Sequence, residues 1–193
     1  MFKKDLSHIT WAEVKRRQLQ RLSLVHDWIR LTAMTSGLTV VDIGPGPGLF
    51  TREYAKIVGK DGKVYAIEKS LQAIEFLKKE LDGIANVEIL NADAEQGISG
   101  AQKPDIVLVS DVLHHTDFPE RILRGVYEKV DANAKILVSE FDPTGEGKIG
   151  PPVHNRIAED ILRAVATDIG FEIVSQGKQS HEHYYLLLKR RDI

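Results

Sequence analysis

Between Val40 and Phe50 the chain reads Val-Val-Asp-Ile-Gly-Pro-Gly-Pro-Gly-Leu-Phe. An apolar run stops at three alternating glycines and gives way to a helical pattern. Glycine lets the backbone turn tightly and approach a ligand closely. Pro45 and Pro47 have no N–H, so Gly44, Gly46 and Gly48 are the loop positions able to offer amides. The start of the next helix adds unpaired amides and a partial positive charge. A ligand here lies outside the carboxyl end of a strand, where open α/β sheets place their sites. A tight turn that needs glycine only for packing is the alternative. Acidic residues on both sides of the loop favour the ligand.

The rest of the chain extends this unit. Short apolar runs at 38–43, 63–67, 87–90, 106–110 and 135–141 suit strands buried on both faces of a parallel sheet. Helical patterns at 49–58, 71–81 and 118–130 separate them. Strands alternating with helices mean a βαβ chain. The alternation then breaks: 152–169 reads as a helix closed by Gly170, followed by strands at 171–174 and 184–189. A short connection permits an antiparallel hairpin, whereas a parallel pair needs a crossover. Trp11, Val14, Leu19, Leu22, Val25 and Ile29 recur at helical spacing, predicting one or two amphipathic helices that end near Gly37. The expected fold is Rossmann-like α/β: a mostly parallel seven-stranded sheet, a C-terminal antiparallel hairpin and helices on both faces. Residues 1–193 are expected to form one domain, with 1–37 as a helical cap.

Composition removes several function classes. With no Cys among 193 residues, disulfide scaffolds, Cys-ligated metals and thiol nucleophiles are excluded. A formal charge of −2 argues against holding nucleic acid by bulk electrostatics. No apolar run approaches the ~20 residues that cross a bilayer. Met1-Phe2-Lys3-Lys4-Asp5 is charged but precedes no apolar stretch, so it does not read as a secretory signal. The expected location is cytoplasmic. Lys15, Arg16, Arg17 and Arg21, like Lys189-Arg190-Arg191, read as solvated faces, with RNA or acidic lipid as the alternative contact. His181-Glu182-His183 has metal-like spacing but no evident third ligand; a solvated hairpin is expected, and no metal.

The order Asp-x-Gly-x-Gly-x-Gly, from Asp42 to Gly48, resembles motif I of the class I S-adenosylmethionine-dependent methyltransferases. The resemblance extends from about Leu38 to Lys189. It implies that Asp42, Gly44, Gly46 and Gly48 belong to the cofactor site. It also implies that Glu68, at the end of the second strand, accepts hydrogen bonds from the ribose hydroxyls. Ser70 then reads as a helix N-cap. In Leu90-Asn91-Ala92-Asp93-Ala94 the family places an acid against the adenine amino group, which points to Asp93, with the Ala94 amide beside the ring. Asp93 also suits an N-cap. The fourth strand delivers Ser110, Asp111, His114 and His115 to the same edge, and Ser110 joins the implied cofactor site. The Leu-His-His ending resembles the small-molecule branch, including quinone and menaquinone C-methyltransferases. It differs from the Asn/Asp-Pro-Pro-Tyr/Phe signature of amino-methylating nucleic-acid enzymes. Arsenite-methylating relatives rely on cysteines, which are missing here.

The expected function is therefore methyl transfer from S-adenosylmethionine to a small-molecule acceptor. His114 or His115 titrates in the range useful to a general base; shaping the pocket is the other reading. Residues 142–152 read as a lid or as a long surface loop. Arg156 reads as a contact for an acidic acceptor or as a solvated helix residue. An RNA or protein acceptor with the same cofactor is a second reading. A nicotinamide oxidoreductase is a third, weakened by the missing Gly-x-Gly-x-x-Gly spacing. A binding module without catalysis is a fourth.

Overall fold

The computed structural model describes residues 9–191; the charged stretch Met1–Asp5 lies outside them. The elements run α1 (Trp11–Gln20), α2 (Leu22–Thr32), β1 (Thr39–Ile43), α3 (Leu49–Val58), β2 (Lys63–Glu68), α4 (Leu71–Glu80), β3 (Val87–Asn91), β4 (Ile106–Ser110), α5 (Pro119–Lys129), β5 (Lys135–Phe141), α6 (Glu159–Ile169), β6 (Phe171–Gln179) and β7 (His183–Arg190). They form a seven-stranded sheet in the order β3-β2-β1-β4-β5-β7-β6. The first five strands are parallel, and β7 runs antiparallel to both β5 and β6. This is the expected Rossmann-like architecture. The chain reverses its strand order after β3, and β1 and β4 pair at that switch point.

The sheet buries apolar side chains on both faces. One core joins Val41, Ile43, Val107, Val109 and Val138 to Leu123 and Val126 of α5 and Leu162 of α6. The other joins Val40, Val64, Leu108 and Leu137 to Phe50 and Tyr54 of α3 and to Leu24, Val25 and Trp28 of α2. Alternate residues of one strand therefore serve opposite cores, which is why β4 is apolar at four successive positions. Trp28 meets Phe50 edge-on with ring centroids 5.3 Å apart, anchoring α2 on α3. Helix ends follow local chemistry: Ser70 caps α4 through the Ala73 amide, Pro119 opens α5, and Gly170 closes α6 in the left-handed region.

Two expectations are corrected. The helix expected over 152–169 is broken: a short 3-10 turn covers Val153–Asn155, Arg156 and Ala158 are extended, and α6 starts at Glu159. The hairpin strands reach further than 171–174 and 184–189, because the polar stretch after Val174 pairs with β7 through its backbone as an edge strand. Polarity hid that strand, since an edge strand can leave one face in water. No helix among the described residues is long and apolar enough to cross a membrane.

Candidate active site

The carboxyl ends of the parallel strands open into a cleft of about 500 Å³, within the ordinary range for small-ligand sites. Helix α1 and residues 150–152 flank it. Gly44, Gly46, Glu68, Asp93, Ala94, Ser110, His114 and His115 all line it. Asp42 and Gly48 are not among the lining residues.

Gly44 has φ +65, and a Cβ there would overlap the Val112 side chain. Gly48 has φ +91, and a Cβ there would overlap the Leu77 side chain. A larger residue would be strained at either φ and would displace the Val112 or Leu77 side chain. The amides that were candidates for ligand contact have partners inside the chain. Gly44 N–H donates to the Ile67 carbonyl at 2.9 Å, and Gly48 N–H to the Pro45 carbonyl at 3.1 Å. The Gly46 amide serves the Glu68 carboxylate. Gln18 of α1 holds the loop from outside, donating to the Pro45 carbonyl at 3.0 Å and accepting from the Leu49 amide at 3.3 Å. The loop thus contributes close approach more than free donors.

Glu68 is buried at the end of β2 and accepts from the Ser70 amide at 2.8 Å. Burial raises its pKa, opposed by the surrounding amides and by Lys69. Asp93 caps the short turn Ala94–Gln96 by accepting from the Glu95 amide at 3.0 Å. Its second oxygen lies 3.8 Å from Lys69 Nζ. Apolar Ile43, Ile67, Ala92 and Ile122 line the cleft between these acids and the histidines.

Asp42 is almost fully buried and accepts from the Thr51 hydroxyl at 2.7 Å. Burial raises its pKa to about 7; the Thr51 bond opposes this and Glu68 adds to it. An unfolded Asp titrates near 3.9. Its contribution to stability is therefore fully present below about pH 4 and is lost as pH rises through the folded value of about 7. Asp42→Asn keeps an acceptor for Thr51 and cannot ionise. Its melting temperature relative to wild type is expected to improve from pH 5 to 7 and then level off. A constant difference across thermal melts in that window would contradict this account.

At the other end of the cleft, His114 is buried with Nδ1 2.6 Å from Glu140 Oε2. The other Glu140 oxygen accepts from the Val112 and Leu113 amides at 3.0 and 2.6 Å. Glu140 is fully buried, so two amides and one imidazole fix its orientation. Burial pushes the His114 pKa down, but the charge and hydrogen bond of Glu140, with Asp111, outweigh it and the pKa is raised. The His115 ring lies beside His114, with centroids 4.0 Å apart.

Asp111 reaches the expected edge, and Arg21, expected on a solvated face, belongs here too: buried at the break between α1 and α2, it pairs with Asp111 at 3.0 Å. Asp111 holds a left-handed φ of +57 and contacts His183 at 2.7 Å. Arg21 falls on the same helical stripe as Trp11, Val14 and Gln18, which all line the cleft. That spacing was the available signal. The basic face of α1 is not simply solvated: Lys15 pairs with Glu80, and Arg16 and Arg17 pair with Glu13.

The hairpin His181-Glu182-His183 is likewise not a solvated tip. His181 contacts Ser23 at 3.2 Å, and His183 is buried against Asp111. Glu182 accepts from the Gly147 and Lys148 amides and from Arg156. Arg156 is no solvated helix residue either. Its side chain is fully buried and donates to the carbonyls of Asp142, Ile149 and Pro151 as well as to Glu182. These bonds pin the segment after β5 as a wall, with Gly150, Pro151 and Pro152 along the cleft.

Known proteins resemble this chain in fold and in sequence. A crystal structure of a SAM-dependent methyltransferase from Aquifex aeolicus superposes with TM-score 0.83 at 21% identity, covering 93% of this chain and 98% of that one. A probable cobalt-precorrin-6B C(15)-methyltransferase (decarboxylating) of Sulfolobus acidocaldarius is 29% identical over 126 residues, 62% of this chain and 64% of its own. The mitochondrial ubiquinone biosynthesis O-methyltransferase of Schizosaccharomyces pombe is 30% identical over 152 residues, 75% of this chain and 52% of its own. The chain thus spans 64% and 52% of the length of these two curated relatives. The profile of the family described as "Methyltransferase domain" matches residues 34–189. The chain belongs to this methyltransferase domain family, within the class I S-adenosylmethionine-dependent methyltransferases.

Proposed function

We propose that the protein transfers a methyl group from S-adenosylmethionine to a small-molecule acceptor, with His114 as the base that removes the acceptor's proton. The observation that carries this reading is the buried His114–Glu140 pair, 2.6 Å apart, at the end of the cleft away from Glu68. The cofactor supplies an activated methyl carbon, so the protein's part is positioning, exclusion of water and electrostatics. The cleft fits that cofactor. Glu68 would accept from the ribose hydroxyls. Asp93 and Ala94 would meet the adenine edge, with Ile67 and Ile122 against its faces. Gly44, Gly46 and Ser110 would border the amino-acid end, while Asp42, bonded to Thr51, and Gly48, bonded to Pro45, would keep the loop in shape. Glu140 would keep the His114 ring oriented and stabilise it as it gains a proton. His115 would shape the acceptor pocket.

A small acceptor is favoured by the cleft's size and by its position between α1 and the pinned segment after β5. The charges of α1 point the same way. Lys15, Arg16 and Arg17 are engaged by Glu80 and Glu13, so this face presents less free charge to a phosphate backbone. We read residues 1–193 as one domain in which 1–37 form a helical cap.

The test is calorimetric titration with S-adenosylmethionine, followed by transfer of labelled methyl into metabolite and RNA pools. Glu68→Ala is expected to weaken cofactor binding by about 1.5–3 kcal/mol, the range for hydrogen bonds to a charged group. Unchanged affinity in a folded variant would remove the ribose role. Label entering RNA alone would replace the small-molecule acceptor with RNA.

A further inference from the structure

Arg17 places a cation on the cleft wall that its neighbours do not neutralise. It stands one turn before Arg21 on the stripe of α1 that lines the cleft. Glu13, one turn back, accepts from Arg17 Nε at 3.0 Å. The same carboxylate takes both prongs of Arg16, Nε at 2.7 Å and Nη2 at 2.8 Å. One anion therefore serves two guanidinia, and a unit of positive charge is left over. Arg17 lines the cleft, whereas Arg16 is not among the lining residues. The bond to Nε holds the Arg17 head in place, and its terminal nitrogens make no hydrogen bond among the described residues. This stretch of α1 faces the histidine end: Arg21 lies 5.1 Å from the centroid of Phe141, and Phe141 meets the His114 ring at 5.8 Å. The acids at that end are committed. Asp111 holds Arg21 and His183, and Glu140 holds His114 and two amides. The other acids on the cleft wall, Glu68, Asp93 and Glu95, gather around Ser70 and Ala94. The cleft is thus polarised, with apolar Val14, Phe141, Pro151 and Pro152 also along its wall. A guanidinium with free terminal N–H groups pairs best with a planar oxyanion that accepts two of them.

We propose that the methyl acceptor is a small carboxylic acid with an apolar body, its carboxylate anchored on Arg17. This rests on the small-molecule methyltransferase reading and names the acceptor's class. The carboxylate is the handle and not the reacting atom. The acceptor exchanges one proton, taken by His114, for one methyl, so its charge is the same before and after transfer. With 37% of its side-chain surface exposed, Arg17 can meet the anion from solvent and draw it into the cleft.

The test supplies methyl-labelled S-adenosylmethionine and a small-molecule cell extract to wild type, Arg17→Gln and Arg17→Lys. The labelled product is expected to bind an anion exchanger at neutral pH and to lose that retention once its carboxylates are converted to amides. Arg17→Gln should raise the half-saturating extract concentration about 10-fold and leave the saturated rate near wild type. That is the low end for a charged hydrogen bond, because Arg17 is partly exposed. Arg17→Lys should fall between, because it keeps the charge and loses the planar fork. Added salt should weaken saturation of wild type more than of Arg17→Gln. Calorimetry with S-adenosylhomocysteine should give wild-type affinity for both variants, which also shows that they fold. A neutral or basic product, or retention removed by phosphatase, overturns the carboxylate. An unchanged half-saturating concentration in Arg17→Gln, or a matching loss of S-adenosylhomocysteine affinity, overturns the anchor. Each of these results leaves methyl transfer itself standing. Failure of wild type to bind S-adenosylhomocysteine, or to label any small molecule, overturns the reading on which the proposal rests, and the proposal with it.

Discussion

Replacing His114 with Asn is expected to slow methyl transfer about 10²- to 10⁴-fold, the usual contribution of a positioned general base. Cofactor affinity should stay near wild type. Asn can still donate to Glu140, so the buried carboxylate keeps a partner and the fold keeps its packing. The pH profile separates a base from a purely structural residue. A base must be unprotonated, so the wild-type rate should rise through the His114 pKa and then level. Because Glu140 holds that pKa above the ordinary imidazole value, the midpoint should lie above about 6.5. Glu140→Gln removes the largest of the contributions that together outweigh burial. Its midpoint should move to lower pH, and its plateau should fall because the ring is less basic and less firmly aimed. Single-turnover transfer of labelled methyl, measured across pH for the three proteins, checks this. A midpoint unmoved by Glu140→Gln would remove His114 as the base.

The second large effect is on stability. Arg156→Met is expected to cost about 3 kcal/mol, the lower end of the range for removing one partner of a buried ion pair. The side chain is fully buried while Glu182 keeps 17% of its side-chain surface exposed, so the stranded carboxylate can recover some hydration. Three carbonyls, of Asp142, Ile149 and Pro151, lose their shared donor. Met fills much of the volume, so the loss reports on polar contacts more than on a cavity. Urea unfolding monitored by tryptophan fluorescence measures it. Released from its pin, the segment after β5 should also become more readily cut by trypsin at Lys148. A stability within about 0.5 kcal/mol of wild type, on the scale of ordinary surface substitutions, would show that the segment is held by other contacts.

Both predictions rest on pairs far apart in the chain, and the sequence conveyed the two kinds of information unequally. Five parallel strands, the helices between them and the glycine loop are local patterns: runs of apolar residues, their period and the turn residues between them. The limits of β4, β5 and α3 could be read almost residue for residue, because each is a buried apolar run or helical stripe bounded by polar or glycine residues. Chain order also brought Gly44, Glu68, Asp93 and His114 to one edge, because successive parallel strands end on the same side of a sheet.

The sequence was misleading where a side chain's meaning depends on a distant partner. Arg156 has the composition of a helix residue, but it is committed to loop carbonyls and to Glu182, 26 positions away. The polar strand after Val174 is held by its backbone ladder to β7, which side-chain hydropathy does not register. His181-Glu182-His183 reads as a surface turn, yet it ties α2, the segment after β5 and the end of β4 together. Glu140 alone gives no sign that it will orient His114, and Arg21 looks like one more charge on a basic helix. The sequence by itself determined the succession of strands and helices, the glycine turn and the edge on which the candidate site residues gather, because those follow from short-range periodicity and chain direction. Only the tertiary structure decided which charges neutralise one another and which polar atoms remain unpaired in the cleft, because a buried charge is set by whatever folding brings within a few ångströms of it.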